Sequence, residues 1–386
     1  MKVALLSTFG PEVRGISYYS DNLLASLQQA GGAEIYPEDY RKIYPDWLYP
    51  AQQTSSSAEH NRRIHYGRPG SWKVFTDHPD VIHLQSWTFA TALIHRRILR
   101  HAHRNGIPTV LTLHNPVSHE RFGLLQHPMK ECLELADRII LHDDCGLAAI
   151  PEPLRNKVRI IAHGTSAIEA TGDELESAAG QSPYLLYFGN IRPYKGVELL
   201  LDAWSEIAGD FPAVKLVIAG RLWQGKSLLS NLVARLLGTA RQARQLQQLE
   251  SNAAVPRVDY RFGFIPDTEL DSLISNACYA VFPYLKFSGQ SGAVARAAAQ
   301  GTPVLVSSAG GLSVLAIGPE NIFQAGDREG LAWLLQSKLN NLDHNPAERR
   351  SQLAKARSLS WEHSAVQHLA LYQELHSGIR SEAKTG

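Results

Sequence analysis

Residues 283–312, PYLKFSGQSGAVARAAAQGTPVLVSSAGGL, hold the pattern around which the rest of the chain is organised. An apolar run ends at Phe282–Pro283 and passes into a loop of small residues. An alanine-rich stretch follows, then a Gly301-Thr302-Pro303 stop, a second apolar run and the Gly310-Gly311 turn. Ser291 is a natural N-cap for a helix from Gly292, and Gly301 with Pro303 ends that helix. In a parallel sheet, such a loop carries unpaired backbone N–H groups and the positive end of a helix dipole to the C-terminal edge. Phosphate is the usual ligand there. A close-packed strand–turn–helix connection without a ligand uses the same residues, so the segment alone leaves both readings open.

At 386 residues the chain is long enough for two domains with buried cores. Its 44% hydrophobic and 19% charged content is that of a globular protein, and a net charge of +1 argues against wholesale nucleic-acid binding. Cys132, Cys145 and Cys278 have neither CxxC nor Cys/His ligand spacing, so they read as free thiols of a reducing compartment. Met1–Leu6 opens directly as a strand, with no cleavable signal peptide, and no apolar stretch reaches the ~20 residues of a membrane span. The expected location is the cytoplasm.

Val3–Ser7 reads as a buried strand, Thr8–Gly15 as a loop and Ile16–Leu27 as a helix. The loop is not GxGxxG; Gly15 either lets the backbone approach a ligand or relieves a turn. Residues 38–73, rich in Tyr, Pro, Ser and Gln without periodicity, read as a long loop with short pieces of structure in it. Short strands are expected at Val81–Leu84, Thr109–Leu113, Arg138–His142 and Val158–Ala162, with a helix at Pro128–Ala136. The helix over 90–105 carries Arg96, Arg97, Arg100 and Arg104, which make either a solvated face or a peripheral contact with anionic membrane. His114 leaves the C-terminal end of a strand, where side chains face a ligand crevice. His119 and Glu120 follow in HNPVSHE, but a loop containing Pro116 cannot hold the helical geometry of a zinc HExxH site.

Residues 169–183 are acidic, rich in Gly, Ser and Ala, and aperiodic, which marks a linker between domains at 1–168 and 184–362. The C-terminal helix, 363–386, is expected to pack back toward the first domain. In the second domain the strand Tyr184–Phe188 leads into GNIRPYKG and a helix from Val197. Arg192 and Lys195 sit on that turn; a lysine–phosphate pair at ~4 Å is worth about 4 kcal/mol before desolvation at an effective dielectric of ~20. A helix over 228–249, in a stretch without acidic residues, is a surface helix, a partner-docking helix or a second membrane contact.

The order and spacing of the Gly15 loop, His114, FGNIRPYKGVELLLDAW (188–204), YRFGFIPDTELDSLISNACYAVFPY (260–284) and GTPVLVSSAGGL (301–312) resemble the retaining glycosyltransferases of family 4. LTLHNPVSHE, RPYKG and SGQSG are similar to a bacterial branch serving polysaccharide and glycoconjugate synthesis. The resemblance implies an α/β GT-B fold, two facing Rossmann-like domains with a cleft. It implies a hexosyltransferase that moves a sugar from a nucleotide-diphosphate donor to a polysaccharide-precursor, lipid-linked or small-molecule acceptor with retention. No cofactor and no metal are expected, because fixed cations and dipoles stabilise the leaving group. Gly15 would bring an amide to the donor phosphate, His114 would face the donor sugar, and Lys195 with Arg192 would neutralise the diphosphate. Asn190 and the loop Ser288, Gly289, Gln290, Ser291 and Gly292 would complete the donor site, with His119 and Glu120 on the acceptor side.

Two departures stand out. The family's pair of glutamates, eight positions apart, falls here on Ser288 and Arg296. Arg296 has only donors and cannot accept bonds from a ribose, so the expectation is that it turns toward phosphate instead. The family's arginine five positions before the lysine is Asn190, with Arg192 as the substitute charge. These changes leave a second reading open: a catalytically degenerate GT-B protein that binds nucleotide or glycan as a partner subunit.

Overall fold

The computed structural model describes residues 1–10, 16–42, 61–65, 68, 78–87, 91–116, 123–169, 183–221 and 255–385. The chain forms two compact units, one of Met1–Gly164 with Leu359–Gly386, the other of Thr165–Ser358. The chain thus leaves the first unit at Gly164 and returns at Leu359, instead of changing units at 168 and 362 as composition suggests. Most of the acidic linker, 170–182, lies outside the described residues.

The first unit runs β1 (Lys2–Ser7), α1 (Ile16–Ala30), β2 (Glu34–Lys42), β3 (Asn61–His65), β4 (Val81–Ser86), α2 (Ala92–Arg104), β5 (Thr109–Leu113), α3 (Gly123–Leu135), β6 (Arg138–Leu141) and β7 (Val158–Ile160). The strands form one parallel sheet in the order β3-β2-β1-β4-β5-β6-β7. Val3, Leu5, Val81, Val110 and Ile140 face one side and Ala4, Leu6, Ile82, Leu84 and Leu111 the other, so the central strands β1, β4 and β5 carry apolar residues on both faces. β3 and the end of β2 are short pieces of structure within 38–73, while β2 itself starts earlier, at Glu34. EIYPEDYRK carries too many polar residues to read as a strand, yet its pairing with β1 runs from Glu34 to Asp39. Pro37 is tolerated because β3 joins only from Glu38 onward. α3 begins at Gly123 and takes Pro128 inside the helix, so it starts before the expected Pro128.

The second unit runs β8 (Tyr184–Phe188), α4 (Val197–Ile207), β9 (Lys215–Gly220), β10 (Val258–Phe262), α5 (Asp267–Ser275), β11 (Tyr279–Phe282), α6 (Gly292–Ala299), β12 (Val304–Ser307), β13 (Ile322–Phe323), α7 (Arg328–Asn340) and α8 (Asn345–Ser358). Its parallel sheet has the order β10-β9-β8-β11-β12-β13. Trp204 is fully buried and donates its indole N–H to Pro256 O at 3.0 Å. Arg349, also fully buried, donates to Ala277 O at 2.8 Å and to Ser275 O, so it satisfies carbonyls left open at the end of α5.

α9 (Trp361–Thr385) then packs on α1 in the first unit, where Trp361, Ala365, Leu369 and Tyr372 share a core with Tyr19, Leu23 and Leu27. Strand order reverses direction between β1 and β4 in one sheet and between β8 and β11 in the other. Those are the switch points at which crossover helices diverge to opposite faces and leave a crevice at the strand ends.

The Trp361 ring, 2% exposed, lies so close on Gly164 that any Cβ there would overlap it. Gly164→Ala is expected to destabilise the first unit by about 1–3 kcal/mol, read from the urea midpoint of a probe in that unit. An unchanged midpoint would show that Trp361 yields freely.

Candidate active site

In the second unit the site grows from the ends of β8 and β11. After Phe188, Gly189 (φ 119°) donates its N–H to Ala219 O at 3.0 Å, and Asn190 lies exposed. A short 3-10 turn, Pro193–Lys195, ends at Gly196, whose φ of 69° starts α4. A Cβ at Gly196 would overlap Pro283 O, and Leu285 N–H donates to Tyr194 O at 2.8 Å. The KG pair is therefore clamped to the stretch that follows β11.

This clamp places Lys195 Nζ 3.5 Å from the Tyr284 ring centroid, 4.9 Å from Phe287 and 5.4 Å from Tyr194. Among the described residues no carboxylate pairs with it. Burial first, and the Arg192 charge second, hold its ammonium well below the usual lysine range. The aromatic faces compensate partly, each desolvated cation–π contact contributing about 2 kcal/mol. Arg192 itself is exposed.

Tyr284 also links the lysine to α6. Its hydroxyl lies 3.2 Å from Ser291 Oγ, and Ser307 Oγ donates to its carbonyl at 2.6 Å. Ser291 takes the N-cap position without a side-chain cap bond, so the first N–H groups of α6 are left without a side-chain acceptor. Ser288 and Ser291 are buried, Gly289 takes φ 81°, and its carbonyl accepts from Gly311 N–H at 3.1 Å. The Gly310-Gly311 turn thus supports the loop from below. The structure brings Lys195, Ser291 and Gly292 together around Tyr284.

Arg296 goes elsewhere. Its Nε donates to Asp271 Oδ1 at 2.8 Å and its Nη1 to Asp267 Oδ1 at 3.1 Å, with Nη2 on Asp267 O at 3.1 Å. The guanidinium is spent on α5, so the expectation that it reaches phosphate does not hold for this conformation. The two aspartates lie 25 and 29 residues away in sequence, which hides the pairing from a local reading.

In the first unit His114 stands at the end of β5, beside the switch point, amid a buried histidine cluster. Its Nε2 is 2.6 Å from Gln85 Oε1 and its Nδ1 is 3.1 Å from His142 Nε2. Tyr19 lies edge-on at 4.5 Å between centroids, and meets His142, His163 and Trp361 at 5.2, 5.0 and 5.1 Å. Farther along, Gln85 Nε2 is 3.1 Å from His83 Nε2, and His83 Nδ1 is 2.6 Å from Tyr372 OH on α9. Among the described residues no three His, Cys, Asp or Glu side chains converge as a metal site. Burial lowers the pKa of every histidine of the cluster, which includes His368 of α9: His142 and His368 to about 4, His163 to about 3, and His83 and His114 well below the ordinary imidazole range.

Sequence reasoning singled out His114 and missed His83, Gln85 and His142. The available signal was His83 and Gln85 inside VIHLQS, where polar residues interrupt a fully buried strand. Gly15, His119, Glu120 and the segment 228–249 lie outside the described residues. On α2, Arg100 and Arg96 pair with Glu131 of α3 at 2.5 and 3.6 Å, which neutralises part of the basic face. Among the described residues no helix is long and apolar enough to cross a membrane.

Residues 182–341 match the family profile "Glycosyl transferases group 1". A glycogen synthase of Mycobacterium tuberculosis is 25% identical over 332 residues, 81% of this chain and 72% of that protein. Among solved structures, a sucrose-phosphate synthase of Thermosynechococcus elongatus superposes with a TM-score of 0.72 at 19% identity, covering 98% and 99% of the two chains. The Anabaena protein HepE, in complex with UDP-glucose, gives 0.66 at 14%, covering 99% and 100%. The fold is that of the GT-B glycosyltransferases, two Rossmann-like parallel-sheet domains.

The histidine cluster also makes the first unit acid-labile. His83, His114, His142, His163 and His368, with His95 (about 3), are more basic unfolded, near 6.5, than folded. The unfolded chain therefore binds more protons below pH ~6.5, and the stability present above that pH is lost as pH falls. Amide exchange followed from pH ~7 to ~4.5 should show the first unit opening before the second. Retained protection in β4, β5 and β6 at the acid end would contradict this.

Proposed function

We propose that the chain is a retaining glycosyltransferase that takes its sugar from a nucleotide-diphosphate donor. The observation that carries the reading is Lys195: an ammonium held on aromatic rings with, among the described residues, no carboxylate partner, next to a start of α6 that Ser291 does not cap, at a switch point. An electrostatically incomplete cation of this kind is suited to an incoming dianion. The match of residues 182–341 to a glycosyltransferase profile supports the same reading.

In the proposed reaction Lys195 and the exposed Arg192 neutralise the diphosphate, and the amides of Gly289 and the first turn of α6 bind its oxygens. The bond from the anomeric carbon to the phosphate oxygen breaks, and a bond to the acceptor oxygen forms on the same face. The acceptor proton passes to the departing phosphate, so no pair of glycosidase-type carboxylates is required. No metal is invoked, because the two cations carry the charge. His114 is assigned to the donor sugar, and His119 and Glu120 to the acceptor side. Polysaccharide-precursor, lipid-linked and small-molecule acceptors all suit this reading, with the exposed face of α2 as a peripheral contact to anionic membrane on the cytoplasmic side.

The second reading, a degenerate binding subunit, is favoured by one observation. Where the family places a carboxylate, Arg296 is tied to Asp267 and Asp271 and has no acceptor atoms for a ribose.

A thermal-shift screen of UDP-, GDP-, ADP- and dTDP-sugars separates these readings from a non-binder. A donor at 100 times its dissociation constant adds ~2.7 kcal/mol of stability, and no shift with any of them sinks the enzyme reading. Binding without transfer to any acceptor favours the binding subunit. Lys195→Met should raise the unliganded stability of the second unit by about 1 kcal/mol, because it removes a desolvated charge, while abolishing the donor-induced shift. His114→Ala should lower turnover at least tenfold more than it lowers donor affinity. Flotation with vesicles of anionic lipid tests α2; a chain that stays in the soluble fraction removes the membrane contact.

A further inference from the structure

The surroundings of His114 determine its hydrogen positions as well as its place. His142 Nδ1 is 2.9 Å from Ile161 O, and a carbonyl only accepts, so the proton of neutral His142 sits on Nδ1. Its Nε2 is then a lone pair, and at 3.1 Å it accepts from His114 Nδ1–H. A His114 protonated instead on Nε2 would set two lone pairs against each other at that distance.

Neutral His114 therefore keeps a lone pair on Nε2, which stands 2.6 Å from the Gln85 amide. The two ends of a glutamine amide are told apart by their partners, and here the NH2 end must face His114. Its oxygen then accepts from His83 Nε2–H, which also reaches Thr112 Oγ1 at 2.7 Å, and Tyr372 O–H donates to His83 Nδ1 at 2.6 Å. One polarity satisfies the whole chain from Tyr372 to Ile161. The Tyr19 ring, edge-on at 81° to His114, blocks rotation of the imidazole.

Among the described residues, the groups that bear on His114 are Tyr19 from α1, His83 and Gln85 from β4, His142 after β6, His163 after β7 and His368 from α9. Among the described residues, the charges that bear on it come from histidines, each of which disfavours a second proton there.

We propose that His142 and Gln85 are positioning residues that lock His114 as the neutral Nδ1–H tautomer. His114 then meets its substrate as a fixed neutral ring, both nitrogens already engaged by His142 and Gln85, and takes no proton in the reaction. The inference rests on the assignment of His114 to glycosyl transfer. It also fits a mechanism in which the acceptor proton goes to the departing phosphate.

The test is long-range 15N–1H correlation of the imidazoles in the full, histidine-labelled chain at about pH 7.5. His114 and His142 should both appear as Nδ1–H tautomers; His114 as Nε2–H or as imidazolium overturns the lock. His142→Gln, whose amide can accept from His114 and donate to Ile161, should keep that signature and hold kcat within about threefold. His142→Leu should give mixed tautomers and a kcat lower by roughly tenfold at little-changed KM. Mixed tautomers at unchanged kcat would remove the positioning role, as would a fall in kcat with the single tautomer intact. If the wild-type chain turns over no donor, the glycosyl-transfer reading fails and takes the catalytic half of this inference with it. The tautomer signature is read independently of turnover and decides the lock by itself.

Discussion

Every strand pair described in the two sheets is parallel, and that constraint governs where chemistry can sit. Parallel strands require crossovers, so each strand delivers its following loop to the same edge of its sheet. Where strand order reverses, two crossover helices part and the loops between them lie open. The Gly189–Gly196 turn and the Tyr284–Gly292 loop end there in one unit, and the β1 and β4 ends in the other.

The second unit tolerates an unfavourable charge at that edge. Lys195 is largely desolvated, its close neighbours are aromatic rings, and the nearest formal charge of influence is the like-signed Arg192. The compensation lies elsewhere in the unit: Trp204 buried with its N–H satisfied, Arg349 on the open carbonyls of α5, and Lys338 bonded to Asn321 at 3.0 Å beside Glu348. A site that keeps a cation short of partners depends on such hydrogen-bonded anchors around it.

The fold was largely legible in the sequence because apolar strand runs and helix stops are local signals. β8, β9, β11 and β12, and the helices between them, follow from runs such as LLYF, KLVIAG and VLVS with their glycine and proline punctuation. β2 and β3 were not legible, because their stability comes from neighbours: Glu38 and Asp39 are buried in a strand that sequence chemistry alone marks as loop. The site divides in the same way. Lys195 and the 288–292 loop could be found from one segment each. The ring cage on Lys195 joins residues some ninety positions apart, the carboxylates that capture Arg296 come from another helix, and the partners of His114 are spread from Gln85 to Tyr372. Non-local hydrogen bonds leave no periodicity to read.

The return of α9 to the first unit has a further consequence for how the protein is made. Thr165–Ser358 is one uninterrupted stretch, whereas the first unit is complete only when Trp361–Tyr372 has been synthesised. During translation the middle of the chain closes its core first. Until α9 emerges from the ribosome, the Tyr19–Leu23–Leu27 face of α1 stays uncovered, and His83 waits for the hydroxyl of Tyr372. The usual N-to-C order of domain completion is inverted for these two units, and the nascent chain exposes an apolar face of α1 until residues 361–372 are made.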